Sequence, residues 1–519
     1  MRLFRIRPTA LILPVVLATT GPKLAFAEGN IQKVNHIIAV MQENHSFDNY
    51  FGALAYAPGS PYHNGNGACA ETDHACVDGL TCTVDGSGNF TCSNSNLDED
   101  GSTVFAFHDS RRCVLPDLDH SWFYTHPELN FLNPNRTLTG LNDGFVRVND
   151  LTEQLDGGVE NPTEDQTMAF YNQTELPFYY GLAQNFAIDD RYFASVPGPT
   201  FPNRSYLLAA TSFGHLTTND TFPPPGGYKP ITGTILDLLD QNNVTWADYF
   251  QDAPQAATFR LFVPPSGPFD PHLLPLPFFF AQVATGTLPQ VSFVDPNFGL
   301  TGKAAENDEH PPTDIQRGQA FVSQVINAVR NSSSWQDSVI FVMYDEHGGF
   351  YDHVTPPRAH QGGALTPDGI APGQCADLSN PPASQQPGGG AECSANPFSV
   401  NDTSVKDAEL LCPALALDPT GPYPAQCANF NQLGIRVPFL AISPFSKPHY
   451  VSHMPGDHTS ILAFIERRFL ASNGKSPLHL TFRDQHANPL EDLFDFNHSP
   501  SLNNPVGQAQ PPAVDCTPQ

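Results

Sequence analysis

The chain is poor in basic charge. Lys and Arg number 24 against 53 Asp and Glu, leaving a formal net charge of −29 and a pI near 4.8. Nucleic acid and anionic membrane surfaces would repel such a protein, so both are excluded as expected partners. No apolar run is long enough to span a bilayer, so no transmembrane anchor is expected. The 10 cysteines include no C-x-x-C pair, which argues against a thiolate zinc site. Internal repeats are lacking too, which removes the solenoid architectures.

What the chain does have is loop-forming residues and aromatic bulk. Its 51 Pro and 39 Gly, set beside 38 Phe, read as long ordered loops around a large core. The first residues carry Arg2, Arg5 and Arg7, then an apolar run over 11–18 and the small-x-small string Ala25-Phe26-Ala27. Residues 1–27 are therefore read as a signal peptide without a twin-arginine pair, with a mature start near Glu28 and a secreted or periplasmic location. One catalytic domain is expected over 28–497, followed by a Pro/Asn/Gln-rich tail over 498–519. Cysteines cluster as Cys69, Cys76, Cys82 and Cys92 and again as Cys375, Cys393, Cys412 and Cys427, with Cys113 and Cys516 apart. Each cluster reads as a disulfide-stapled insertion, over about 58–103 and about 358–433, with three possible connectivities in each.

Two buried strands end in ligand-type side chains. The β-branched run 37–41 stops at Glu43, Asn44, His45, Ser46 and Asp48; the run 338–344 stops at Asp345, Glu346 and His347, ahead of Gly348 and Gly349. Ligands bind at the carboxyl ends of strands in open α/β sheets. Two adjacent carboxylates repel each other, and a bound cation relieves that repulsion. Between these strands, Pro202 fits the first turn of a helix over 205–211. Thr200, just ahead of it, reads either as a simple cap or as a group placed where helix N–H groups favour an anion. His120, in the string L-P-D-L-D-H-S-W, reads as catalytic or as structural.

Further along, Ile235, Leu238 and Leu239 mark a helix over 231–242, followed by a strand over 244–249. Phe278, Phe279 and Phe280 read as core aromatics of a helix opened by Pro277, or as a lipid-inserting patch. Another strand covers 290–294. The compact polar segment 306–312 precedes a helix over 314–331, capped by Thr313 and buried along Ile315, Val322, Val325, Ile326 and Val329. A strand over 437–442 and a helix over 459–470 complete the alternation, which predicts a mostly parallel α/β sheet covered on both faces.

Five motifs occur in order: Q-E-N-H-S-F-D-N-Y-F-G from Gln42, P-T-F-P-N-R from Pro199, N-D-E-H-P from Asn307, D-E-H-G-G-F-Y-D-H-V from Asp345 and D-H-T-S from Asp457. Together they resemble the phosphoesterase family of non-specific phospholipases C and related acid phosphatases, over about residues 35–497. The resemblance implies an alkaline-phosphatase-like α/β/α sandwich. It also implies a divalent cation held by Glu43, Asn44, Thr200, Asp345 and Glu346, with Thr200 as nucleophile. His310 and then His120 are the candidate general acids. His45, Asn203, Arg204, His347 and His458 are expected behind the first ligands or on the phosphate, with His347 and His458 orienting carboxylates. The family more usually has Arg where this chain has His45. Carboxylate and amide ligands suit calcium, magnesium or manganese, and leave zinc open. The expected activity is phospholipase C-type hydrolysis of phosphatidylcholine-like lipids. Acid phosphatase action on soluble monoesters is the alternative, and a non-catalytic surface-binding protein the second. A sulfatase is disfavoured by the lack of a Cys-x-Pro-x-Arg string.

Overall fold

The computed structural model describes residues 30–98, 101–113, 117–129, 142–149, 164–216, 218, 228–260, 270–300, 302–359, 367–369, 430–471, 476–503 and 505–506. Eight strands form the central sheet: β1 (His36–Gln42), β2 (Ala187–Asp189), β3 (Trp246–Phe250), β4 (Leu273–Pro275), β5 (Val291–Val294), β6 (Ser338–Tyr344), β7 (Phe439–Ile442) and β8 (Tyr450–Ser452). Their order across the sheet is β4-β3-β5-β1-β6-β7-β2-β8. All neighbouring pairs are parallel except the two made by β7, which runs against β6 and β2. The sheet is thus mostly parallel, as expected, with one reversed strand.

The central strands are apolar on both faces because both are covered. Every residue of β6 is buried, and so is β1 from Ile37 onward. Phe341 and Tyr344, three positions apart on β6, point to opposite faces. Phe341 meets Phe464 of helix His458–Ile465 edge-on at 5.2 Å. Tyr344 joins Tyr179 of helix Pro177–Ala183 on the other side, both hydroxyls donating to Glu309. Helix, sheet and helix therefore stack in three layers.

The helices used below are α1 (Phe47–Phe51), α2 (Trp122–Glu128), α3 (Pro177–Ala183), α4 (Thr200–Ala209), α5 (Ile235–Gln241), α6 (Pro277–Thr285), α7 (Ile315–Arg330) and α8 (His458–Ile465). Three local expectations change. The cap of α7 is Asp314, which accepts from Gln316 N at 3.0 Å, and not Thr313, whose buried hydroxyl has no partner. A carboxylate is the stronger acceptor at the positive end of a helix. Helix α8 begins at His458 under an Asp457–Ser460 capping box and ends at Ile465, beyond which the chain continues as a wider π-helical turn, Glu466–Leu470. On α6, Phe279 is buried against Tyr249 at 5.3 Å, while Phe278 is 52% exposed.

The first cysteine group pairs sequentially, Cys69 with Cys76 and Cys82 with Cys92, the latter across a two-stranded ribbon. Cys113 is also disulfide-bonded. Cys375, Cys393, Cys412, Cys427 and Cys516 lie outside the described residues, as do most of the second insertion, the expected signal peptide and most of the tail.

Candidate active site

Strands β1 and β6 are paired in register from His36 opposite Ser338 to Gln42 opposite Tyr344. Their next residues, Glu43 and Asp345, therefore leave the sheet side by side, and Asp345 N donates to Gln42 O at 3.1 Å. Glu43, Asn44, Asp345 and Glu346 are all buried.

The loop after β2 leads to Thr200. It is the first residue of α4; the N-cap is Pro199, and no side chain caps the helix. The cap alternative for Thr200 is thus removed by geometry. The preceding Pro-Gly-Pro turn is tied by Asn203, whose Oδ1 accepts from Val196 N at 3.0 Å and whose Nδ2 donates to Gly198 O at 2.7 Å and Pro199 O at 3.2 Å. Asn203 is spent on the loop that carries Thr200 and does not face a phosphate. Arg204 lies four residues along α4 and so on the same face as Thr200. Its Nε donates to Glu43 Oε1 at 3.1 Å and to Asp345 Oδ2 at 3.2 Å, its Nη1 to Gln255 Oε1 at 2.8 Å, and its guanidinium stacks 4.9 Å from the Phe298 ring. That bridge docks α4 onto the carboxylates.

The second half of the site centres on Glu346. Its Oε2 accepts from Gly348 N at 2.7 Å and lies 3.3 Å from His347 Nδ1; His347 Nε2 in turn lies 2.9 Å from Glu128 Oε2 at the end of α2. Burial raises the Glu346 carboxyl, but His120, His347 and the Gly348 N–H outweigh it and hold it down at about 2. Burial lowers His347, but Glu128 and Glu346 lift it to about 9; burial lifts Glu128 to about 7 despite His347. Asp345 is pushed well above the usual carboxylate range by burial and then by the charge of Glu43, with Arg204 opposing. His458 does not orient a carboxylate: its Nε2 lies 2.7 Å from the backbone oxygen of Asp345, and burial pushes the ring down to about 4. The sequence expectation for His458 is corrected accordingly, because α8 approaches the strand end from the side of the backbone.

His120 and His310 stand at the mouth, 14% and 20% exposed at the side chain. Each ring gives Nδ1 to a backbone oxygen, Leu118 O and Pro311 O respectively, both at 2.7 Å, leaving Nε2 for the site. His120 Nε2 lies 3.4 Å from Asn44 Nδ2 and 3.6 Å from Glu346 Oε1; His310 Nε2 lies 3.6 Å from Asp117 Oδ2. Burial lowers His120, but Glu346 and Asp117 lift it to about 10.

His45 turns away from the mouth. It stacks between Tyr50 at 4.3 Å and Phe350 at 4.8 Å, and both its nitrogens face acceptors, Asn49 Oδ1 at 2.8 Å and Glu309 O at 3.1 Å. Burial, with the charge of His310 adding to it, drives the ring down to about 3 against the pull of Glu309 O and Asn49. The amide of Asn49 is fixed by its own bond to Ala169 O at 2.7 Å, so the neutral ring, with one N–H, can donate to only one of its two acceptors at a time.

Sequence reasoning missed Asp117, Glu128 and Glu309. Asp117 sits in the string that yielded His120, and its alternation with apolar residues was the available signal. Glu309 sat inside the N-D-E-H-P string, but its four donors lie far along the chain, and Glu128 gave no signal at all.

The expected ligands of a cation divide in two. Arg204 bridges Glu43 and Asp345, whereas the buried oxygens Asn44 Oδ1 and Glu346 Oε1 have no hydrogen-bond partner. Orphaned hard oxygens of this kind fit a divalent cation. Gly348 makes the cradle: with φ at +63°, a Cβ there would fall 2.6 Å from Asn44 Oδ1. Beside it, ligand atoms of Asp117, His120 and His310 lie within 4.8 Å of one another, a second group able to take a metal.

Residues 34–471 match the model of the phosphoesterase family. The chain is 28% identical to non-specific phospholipase C6 of Arabidopsis thaliana over 91% of its own length and 74% of the relative's. It is also 28% identical to phospholipase C B of Mycobacterium tuberculosis strain H37Rv, over 94% and 84%. Among solved structures, it resembles a protein of the alkaline phosphatase superfamily from Vibrio parahaemolyticus, at 11% identity, 56% and 59% coverage and a TM-score of 0.28. A family match over nearly the whole described chain, carried by relatives that are phospholipases C, makes this protein a phosphoric ester hydrolase and a member of the phosphoesterase family.

Proposed function

We propose that the protein is a secreted or periplasmic phospholipase C-type enzyme that hydrolyses phosphatidylcholine-like lipids through a phospho-threonine intermediate. The observation that carries this reading is the pair of orphaned oxygens, Asn44 Oδ1 and Glu346 Oε1, next to carboxylates bridged by Arg204, which lies one helical turn along α4 from Thr200. Glu43, Asn44, Thr200, Asp345 and Glu346 would hold the divalent cation, which when bound supplies charge neutralisation at a phosphoryl oxygen and lowers the pKa of a nearby hydroxyl.

Thr200 Oγ, its proton released to water, attacks phosphorus in line; the P–O bond to the alcohol breaks as the Oγ–P bond forms. His310 Nε2 gives its proton to the departing alkoxide, then takes one from the water that cleaves the Oγ–P bond. His310 suits this exchange better than His120, because His120 Nε2 has the Asn44 amide beside it at 3.4 Å. His120 is placed to hold a phosphoryl oxygen. Zwitterionic lipids fit the protein's net charge of −29 better than anionic ones.

Purified protein assayed against p-nitrophenyl phosphorylcholine and p-nitrophenyl phosphate, with and without chelator, tests the reading. Chelator-sensitive turnover of the diester supports it. Turnover of the monoester alone favours the acid phosphatase alternative, and hydrolysis of neither revives a binding role.

A further inference from the structure

Directly beneath the site lies a carboxylate that the proposed mechanism does not use. Glu309 is fully buried and receives four donors: Tyr50 and Tyr179 hydroxyls at 2.5 Å, the Tyr344 hydroxyl at 2.6 Å, and Gln42 Nε2 at 3.3 Å. The donors come from four elements, α1, α3, β6 and β1. Its backbone is held in the left-handed region, φ +80°, which costs an ordinary residue energy and persists only where the surroundings impose it. Gly318 on α7 leaves the space, since a Cβ there would fall 2.0 Å from Glu309 Cγ.

The flanking backbone is tied to the metal-side motif at three points. Glu43 N donates to Asp308 O at 2.7 Å, Gln42 Nε2 donates to Asn307 O at 3.1 Å, and His45 Nε2 lies 3.1 Å from Glu309 O. The next residue is His310, whose ring is oriented through its own neighbour, Pro311 O. Burial lifts this carboxyl to about 7 against the hydrogen bonds of Tyr179, Tyr344, Tyr50 and Gln42, and such a buried group is a poor way to gain stability, because an apolar residue in its place is often as stable or more so. Its value lies in fixing geometry.

We infer that Glu309 is a positioning residue: the tyrosine cage around its carboxylate sets the strained backbone that aims His310 at the leaving-group oxygen. This rests on the reading of His310 given above. Glu309→Gln tests it, because the amide keeps the shape but turns an NH2 group toward hydroxyl donors. A misaimed acid matters for a poor leaving group and hardly at all for p-nitrophenolate, which departs without a proton. In the first, alcohol-releasing step, read as the pre-steady-state burst so that the shared hydrolysis of the intermediate does not enter, the variant should therefore lose about 10²-fold on phosphatidylcholine micelles, with half-saturation within about threefold, and less than about fivefold on p-nitrophenyl phosphorylcholine. Tyr179→Phe, removing one donor, should show the same discrimination more weakly. Equal losses on both substrates, or none, overturn the inference.

A second arm needs no turnover. The imidazole 15N signals of His310, assigned by their loss in His310→Asn, should shift or multiply in Glu309→Gln; unchanged signals overturn the inference. Failure of the wild-type protein to cleave either substrate sinks the assigned substrate class, and the spectra then decide the positioning claim alone.

Discussion

Gly348 and Asn44 approach so closely that a Cβ on the glycine would fall 2.0 Å from the Asn44 backbone oxygen. The turn after β6 is thereby pressed against the turn after β1, and the orphaned oxygens of Asn44 and Glu346 are held on one rim. Gly348→Ala meets both this clash and a φ of +63°, the latter alone costing about 1–2 kcal/mol. Metal affinity in the variant, measured by calorimetry, should fall by about 10- to 100-fold, with activity falling in step.

Thr200→Ala should abolish turnover while leaving metal content and melting temperature near the wild-type values, because Thr200 makes no capping bond that the fold needs. Thr200→Ser, which keeps a hydroxyl, should retain measurable activity. Elemental analysis and a thermal melt run beside the assay check both. Near wild-type turnover in Thr200→Ala would rule out the threonyl intermediate.

Chelation should remove activity and also lower the melting temperature. A ligand at a hundred times its Kd stabilises the folded state by about 2.7 kcal/mol, and that contribution disappears with the ion. Full activity after exhaustive dialysis against chelator would count against the cation. Re-addition of calcium, magnesium, manganese or zinc, one at a time, identifies the preferred ion.

His458 makes the protein acid-sensitive. Its folded pKa of about 4 lies below the usual 6.5, so the unfolded chain binds the extra proton as pH falls through that window. Stability is therefore fully present above pH 6.5 and lost as pH drops toward 4. At pH 5 the loss from this one ring is about 2 kcal/mol. Urea unfolding at pH 7 and pH 5 should show a difference smaller by about that amount in His458→Gln than in the wild type. Identical pH dependence in the two proteins would mean that the ring is charged in the folded state.

The two core strands were legible because burial on both faces forces long apolar runs. The strand expected over 338–344 is found as Ser338–Tyr344, and that expected over 37–41 as His36–Gln42. Glu43, Asn44, Asp345 and Glu346 were legible as polar clusters at the ends of those runs. The reversal of β7 was not, since strand direction is set by the sheet neighbours and leaves no local pattern. Nor was the Arg204 bridge, because its carboxylates lie 161 and 141 residues away along the chain. His45 shows the same limit: its type could be compared with an arginine, but its two acceptors are visible only in three dimensions.

The reversed strand has a consequence for how the site can be altered. Because β7 runs backward, its first residue, Phe439, pairs with Met343 near the end of β6, so the chain both leaves and re-enters the sheet on the rim that carries Asp345 and Glu346. Its two ends are sewn together there, Arg358 bridging to Gln432 and Ala359 N donating to Asn431 O at 2.9 Å. The joining of β6 to β7 is thus closed by bonds that use no residue between 359 and 431, so chain inserted between them would leave and return at the carboxyl end of β6.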